Sequence, residues 1–219
     1  MRKIGIGFMF IFLLAQAGAQ IKMVKQLKDI KKDSIYYVAL KNLVERYGVI
    51  GTEETRQGNN YFPANPLNHR AFAIVMVTAL DRLHEKFNRL AFKMEENTRD
   101  SLFRLFTKKH FKGYADSAVK HLTGYAQYKD INNDDIDHAC IKKLTNFYRL
   151  KLGDTENTFS PDKPMTEKEL GKIFIDYFGE RSVVTRATSA NATRGKWAIY
   201  LDALLERLNE SVIDLASFQ

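Results

Sequence analysis

The amino-acid sequence predicts an all-α fold in which tandem helix-loop-helix units, two nearly complete and one partial, pack as a helical bundle. Three observations support this prediction. Apolar residues recur at helical spacing in several segments. A stretch of the chain repeats itself without a gap, and a turn with an aromatic residue and proline follows each copy. No stretch alternates apolar and polar residues for long enough to indicate a strand.

The chain divides into five parts. We predict a secretory signal over residues 1–19, a first helix-loop-helix unit over 20–83 and a helical insertion over 84–127. A second unit spans 128–179, and a partial third unit spans 180–219. With 219 residues, of which 45% are hydrophobic and 27% charged, the chain is long enough for one or two domains with a proper core.

The first residues have the three parts of a secretory signal. Arg2 and Lys3 precede an apolar run, and the small residues Ala17-Gly18-Ala19 form a cleavage site after Ala19. The alternative is an uncleaved anchor, but the apolar stretch has only 16 residues, against the roughly 20 that a spanning helix needs. No later segment has a transmembrane composition. We therefore expect an exported protein of the periplasm, outer envelope or cell surface.

The net charge and the cysteine count each give one further expectation. Removal of Arg2 and Lys3 takes the formal net charge from +8 to +6, which suits an acidic polymer or a membrane surface, or simply solubility. Cys140 is the single cysteine and cannot form an internal disulfide, so we expect a buried small apolar residue there.

The first helix of each unit is identified by the repeat itself. Leu27–Val49 aligns with Tyr128–Leu150 at an offset of 101 residues, with identical residues that include Asp29 and Asp130. In the first copy, one helical face is predicted to carry Ile35, Val38, Ala39, Leu43 and Tyr47.

The second helix follows the proline turn and has clear start signals. In TFSPDKPMTEKEL, Thr166 is a predicted N-cap with Glu169 three residues later, which is a capping box. Apolar residues then form one stripe, and Gly179 is a predicted stop. Asn68 occupies the equivalent cap in the first unit. A third copy of this second helix spans Ala192–Leu208, but the polar segment 180–191 is too short to contain its first helix.

With these residues in place, the unit resembles the S-layer homology (SLH) repeat, a helix-loop-helix module of bacterial cell-envelope proteins. The family pattern has an aromatic residue and Asp, a helix, a Gly-containing loop, an aromatic residue with Pro, and a Thr-Arg-small-Glu start to the second helix. It is matched by YKD at 128–130, by Gly153, by TFSPDKPMTEKEL at 158–170 and by ATRGKWA at 192–198.

The resemblance implies three units in a pseudo-threefold bundle that binds peptidoglycan or an anionic wall polysaccharide noncovalently. It implies ligand-binding roles for Arg194, Thr193, Thr166 and Asn68, at helix N-termini whose N–H groups and dipole favour an anion. Only Thr193-Arg194 keeps the Thr-Arg pair, because Glu167 and His69 stand at the arginine position of the other units. At the family's glutamate position, the second unit retains Glu169, whereas the first and third units have Ala71 and Lys196.

Simpler interpretations remain open for these residues. Thr166 and Glu169 also suit an ordinary capping box, and Arg194 also suits a solvated surface arginine. For Trp197 we expect a core position rather than a platform for sugar stacking.

No other motif predicts catalysis, a cofactor or a metal. The acidic run from Asp130 to Asp137 lacks the glycine and terminal glutamate of a calcium loop. His84 in HEKFN lacks the second histidine of a zinc protease, and no serine elbow or P-loop is present. His138 and Cys140 are two residues apart, which places them on different helix faces. Interleaved lysine and aromatic residues follow helix faces, so nucleic-acid binding is not expected.

The sequence thus favours a noncatalytic envelope protein that binds wall polysaccharide. The alternative is a periplasmic interaction or scaffold protein that uses a degenerate SLH fold to bind envelope proteins. An enzyme ranks third, because no residue constellation supports one.

Overall fold

The computed structural model describes residues 21–51, 57–111, 128–132, 137–148, 150, 152, 157–179 and 188–217. These residues are mostly helical and include no strand, as an all-α fold requires. The predicted signal, 1–19, lies outside the described residues. In chain order the α-helices are α1 (Tyr37–Lys41), α2 (His69–Leu90), α3 (Glu96–His110), α4 (His138–Asn146), α5 (Glu167–Lys172) and α6 (Arg194–Ala216). A π-helical turn continues α1 over Asn42–Arg46 and α5 over Ile173–Tyr177, and a 3-10 turn spans Val24–Gln26.

Helices α2, α5 and α6 bury equivalent positions when each is counted from its own N-cap. The fourth residue after the cap is large and buried, the fifth is small and buried, and the eighth is again large and buried. The large residues fill the interior, and the small residue at the fifth position leaves room for them. The three sets are Phe72, Leu170 and Trp197; Ala73, Gly171 and Ala198; and Met76, Phe174 and Leu201.

Trp197 lies at the centre of this packing. Its ring centroid is 4.8 Å from that of Phe72 and 5.8 Å from that of Phe174, and 1% of the residue is exposed. The prediction of a core position for Trp197 is therefore confirmed.

Helices α1 and α4 pack against the long helices, with polar contacts at their edges. Helix α4 lies on α2, where Lys143 Nζ is 2.7 Å from the Asp81 carboxylate and the Tyr148 hydroxyl donates to the same group at 2.5 Å. Helix α1 lies on α6, where the amide of Asn42 donates to Asp202 at 3.1 Å.

The predicted face of α1 is wrong in part. Ile35 and Val38 are 77% and 68% exposed, while Leu40 and Val44 are buried with the correctly predicted Ala39 and Leu43. The helix begins at Tyr37 and packs on α6 along the face that carries these buried residues. Helix α4 buries Ile141, Leu144 and Thr145, which are the positions of Leu40, Leu43 and Val44 in the repeat. Cys140 is half-buried, not buried as predicted.

The insertion supplies an aromatic cover. Helix α2 continues past the predicted unit boundary at residue 83 to Leu90, and α3 packs on α2 and α6. Phe103 and Phe106 of α3 are buried. Phe111, just after α3, stacks on Tyr177 at 5.7 Å and meets Phe178 edge-on at 5.5 Å. The insertion thereby covers the end of the second helix of the second unit.

The repeated aspartates shape the two turns. The carboxylate of Asp29 accepts the N–H groups of Tyr61 and Phe62, and that of Asp130 accepts those of Phe159 and Ser160. Phe62 and Ser160 both have φ of +56°, which few non-glycine residues adopt. The carboxylates therefore hold the same unusual turn in both units, which explains why the repeat has Asp at both positions.

Candidate functional site

The starts of α2, α5 and α6 meet in a closed ring of backbone hydrogen bonds. Leu67 N donates to Ala192 O at 2.8 Å, Ala192 N to Met165 O at 2.8 Å, and Met165 N to Leu67 O at 2.7 Å. Each residue immediately precedes an N-cap, so the ring brings the predicted site residues Asn68, Thr166 and Thr193 to one end of the bundle. We call this arrangement the cap ring.

Each cap side chain accepts a hydrogen bond within its own helix. Asn68 Oδ1 accepts from Ala71 N at 2.8 Å, Thr166 Oγ1 from Glu169 N at 3.1 Å and Thr193 Oγ1 from Lys196 N at 3.3 Å. Glu169 also accepts from Thr166 N at 2.7 Å, which completes the predicted capping box. The capping function of all three residues is therefore established.

The expectation that these helix N-termini offer unused N–H groups is wrong. The first two N–H groups of each helix donate to carbonyl groups in a loop of another unit. Helix α2 donates to the loop of the second unit, α5 donates to the loop of the third unit, and α6 donates to the loop of the first unit. The pairs are His69 with Lys163, Arg70 with Pro161, Glu167 with Ala190, Lys168 with Thr188, Arg194 with Asn65 and Gly195 with Pro63, at 2.8–3.2 Å.

An anion at the cap ring would therefore be bound by side chains. The third N–H group of each helix is also occupied, by the cap side chain. What distinguishes the three helix starts is the first side chain of each helix, namely His69, Glu167 or Arg194.

His69 is withdrawn into the protein. Only 3% of the residue is exposed, and its Nδ1 lies 2.8 Å from the carbonyl oxygen of Phe159, whose ring it meets edge-on. A buried imidazole in this position serves to anchor the turn of the second unit.

Glu167 is also buried, and a cation from another helix compensates its charge. Lys196 Nζ donates to Glu167 Oε1, and the Thr188 hydroxyl donates to Oε2 at 2.6 Å. These hydrogen bonds, that of Lys196 foremost, hold the pKa of the Glu167 carboxyl below its ordinary value. The carboxylate at the first position of α5 thus pairs with the lysine at the third position of α6.

Among the first residues of the three helices, Arg194 is the one that is half-exposed. Its guanidinium carbon lies 4.6 Å from the centroid of the Tyr61 ring, and the Tyr61 hydroxyl donates to Arg194 O at 2.9 Å. Burial raises the pKa of Tyr61, so the phenol stays neutral and supports the cation from below. The residue of the first unit that corresponds to Glu169 and Lys196 is Ala71, which has no charge.

A cavity of about 300 Å³ lies beside the cap ring, within the second unit and with His69 of the first unit in its wall. Its walls combine apolar side chains with charged groups. It is lined by His69, Leu150, Leu152, Met165, Glu169, Lys172, Ile173, Asp176 and Tyr177. Such a mixture suits the apolar faces and hydroxyl groups of a sugar.

No family model, curated protein or solved structure matches this chain. Across the described ranges, no helix has the length and apolar character needed to cross a membrane. The same residues contain no group of three histidine, cysteine or carboxylate side chains that could hold a metal ion.

The sequence alone did not identify Tyr61 or the Glu167–Lys196 pair as parts of this site. Tyr61 aligns with Phe159 in the repeat, and its hydroxyl is the one signal of a different role. The exchanged charges at Glu167 and Lys196 were visible as departures from the SLH pattern. Their pairing depends on which units are neighbours, and this becomes visible only in the folded chain.

Proposed function

We propose that this protein is a noncatalytic, exported envelope protein with an SLH-type fold that binds peptidoglycan or an anionic wall polysaccharide. The observation that carries the proposal is the cap ring. It joins three helix starts that have the same cap geometry. The first N–H groups of each helix donate to another unit, in cyclic order. Cyclic contacts among three units support the proposed pseudo-threefold bundle.

Within this proposal, Arg194 binds the anionic group of the polymer. The Tyr61 ring below it restricts the side chain, so less conformational entropy is lost on binding. Guanidinium groups bind carboxylate and phosphate with paired hydrogen bonds. His69 and Glu167 have become structural, so one of the three helix starts keeps the binding arginine.

Co-sedimentation with purified sacculi tests this function. The wild-type protein, without its predicted signal, should sediment with the sacculi in a saturable manner. Arg194→Ala should weaken binding about tenfold, the loss expected for one charge-assisted contact. Arg104→Ala, which removes an exposed arginine from α3, is the matched control and should bind as the wild type does. Wild-type protein that stays in solution, or full sedimentation of Arg194→Ala, would reject the proposal.

One observation favours a second candidate, a scaffold that binds an envelope protein. Ile35 and Val38 lie three residues apart at the start of α1 and are largely exposed. Exposed apolar side chains that lie together are typical of protein interaction sites. Saturable capture of an envelope protein by the wild type but not by Ile35→Ser/Val38→Ser, without binding to sacculi, would support this candidate.

A further inference from the structure

A second cavity contains a concentration of positive charge away from the cap ring. It has a volume of about 100 Å³ and lies between α2, α6 and the end of the π-helical turn after α1. Four cationic side chains line it: Arg46, Arg82, Lys86 and Arg89. Among the described residues that line it there is no carboxylate. Pockets for drug-sized ligands start at about 300 Å³, so this one suits a single small group.

The register of α2 explains how the charges converge. Arg82, Lys86 and Arg89 are spaced i, i+4 and i+7, so they share one face of the helix. Arg46 approaches from the first unit, and Asn209, which is 4% exposed, closes the cavity from α6.

Two of the four cations have carboxylate partners, and both pairs lie at the surface. Arg46 meets Glu206 at 3.5 Å, and Arg82 meets Glu85 at 2.7 Å, with all four side chains about half-exposed. Exposed pairs of this kind contribute little free energy, so a stronger anion can compete for the arginines. Asp202 and Glu210 of α6 act on Tyr47, which also lines the cavity, but neither is a lining residue.

The other two cations meet no carboxylate in the part of the chain that the structure describes. Lys86 Nζ donates to Asn209 Oδ1, a neutral acceptor, and no ion pair involves Arg89. Burial, with the charges of Arg46 and Arg89, lowers the pKa of Lys86. Among the described residues, Lys86 and Arg89 therefore lie beside the two arginines without a carboxylate partner of their own. In addition, the hydroxyl oxygen of Tyr47 is buried and has no hydrogen-bond partner in the described residues.

We propose that this cavity binds one phosphate group. Phosphate fits better than a carboxylate, because it has up to two charges and several acceptor oxygens for convergent cations. Arginine presents two parallel donors to such an anion, and lysine acts as a point charge. This cavity is separate from Arg194, which lies about four helical turns before Asn209 on α6.

Thermal unfolding with inorganic phosphate, against chloride at equal ionic strength, tests this site. A ligand that binds the folded chain raises the melting temperature in a saturable manner. Wild type and Arg194→Ala should both show the rise. Lys86→Gln/Arg89→Gln should bind phosphate at least tenfold more weakly, while the glutamine can still donate to Asn209. Arg104→Gln/Lys108→Gln on α3 removes the same charge from exposed positions and should respond as wild type does.

Absence of a saturable rise in the wild type, or an equal rise in Lys86→Gln/Arg89→Gln, would overturn the proposal. If the double variant does not fold, Arg89→Gln alone decides the question, because Arg89 is exposed. It must weaken phosphate binding at least threefold. Glycerol phosphate and phosphatidylglycerol vesicles then identify the source: a response to the first indicates a dissolved ester, and binding to the second a lipid headgroup. Binding of inorganic phosphate without a response to either of these indicates that the site takes the free anion.

Discussion

At the scale of single residues, equivalent positions of the three helix starts have taken different roles. His69 anchors a turn, Glu167 pairs with Lys196, and Arg194 stays half-exposed above Tyr61. A buried carboxylate without a partner would be strongly unfavourable, so Glu167 at this position depends on Lys196. The same logic applies at the edge of α4, where the buried Asp137 lies 3.2 Å from Arg70.

Asp29 should be important for stability because of its turn. Asp29→Ala removes the acceptor for the N–H groups of Tyr61 and Phe62 and should lower the free energy of unfolding by about 2 kcal/mol. Urea denaturation measures the change. Asp33→Ala is the control, since Asp33 is exposed and should change stability by less than about 0.5 kcal/mol. Equal effects of the two substitutions would contradict this account of the turn.

At the scale of elements, sequence reasoning was reliable where the signal was local. Three helices have the predicted caps, which are Asn68, Thr193, and Thr166 in its capping box with Glu169. Gly179 ends its helix with φ of +68°. Capping needs residues three positions apart, so these contacts can be predicted from the chain itself.

The face of α1 could not be predicted in the same way. The helix is short and apolar on more than one side, so periodicity alone does not fix its rotation. Its packing partner α6 begins more than 150 residues later. Likewise, the occupied N–H groups of α2 depend on the loop at Pro161 and Lys163, which the sequence places far away.

The cap of α5 offers a test at this scale. Thr166→Ala removes the acceptor for Glu169 N and should lower the free energy of unfolding by about 1 kcal/mol. Thr166→Ser keeps the hydroxyl oxygen and should recover most of that loss. Chemical denaturation of both variants measures it, and a serine variant as unstable as the alanine variant would show that the cap is not the cause.

At the scale of the whole molecule, the insertion and α6 create a pH-sensitive contact. Burial, with Arg207 and Lys109 nearby, lowers the pKa of His110 to about 4, and burial also lowers that of His84. The unfolded chain binds these protons near pH 6.5. The contribution of the two neutral histidines to the free energy of unfolding is therefore complete above pH 6.5 and is lost as the pH falls from there towards 4.

Melting temperatures between pH 7.5 and pH 4.5 should show this decline. His110→Gln cannot take up the proton, so its melting temperature should fall less steeply than that of the wild type over the same range. Two parallel curves would mean that His110 does not contribute to acid sensitivity.

The cap ring also determines when the protein can fold. It joins residues near position 65 to residues near 165 and 192, so its contacts span most of the chain. A high contact order slows folding. Here the bonds that the first unit cannot form early are those with the last helix. Until that helix is synthesised, Tyr61 and Leu67 lack the partners that bury them. The first unit should therefore leave the ribosome without a stable tertiary structure, and folding should follow completion of the chain in one cooperative step.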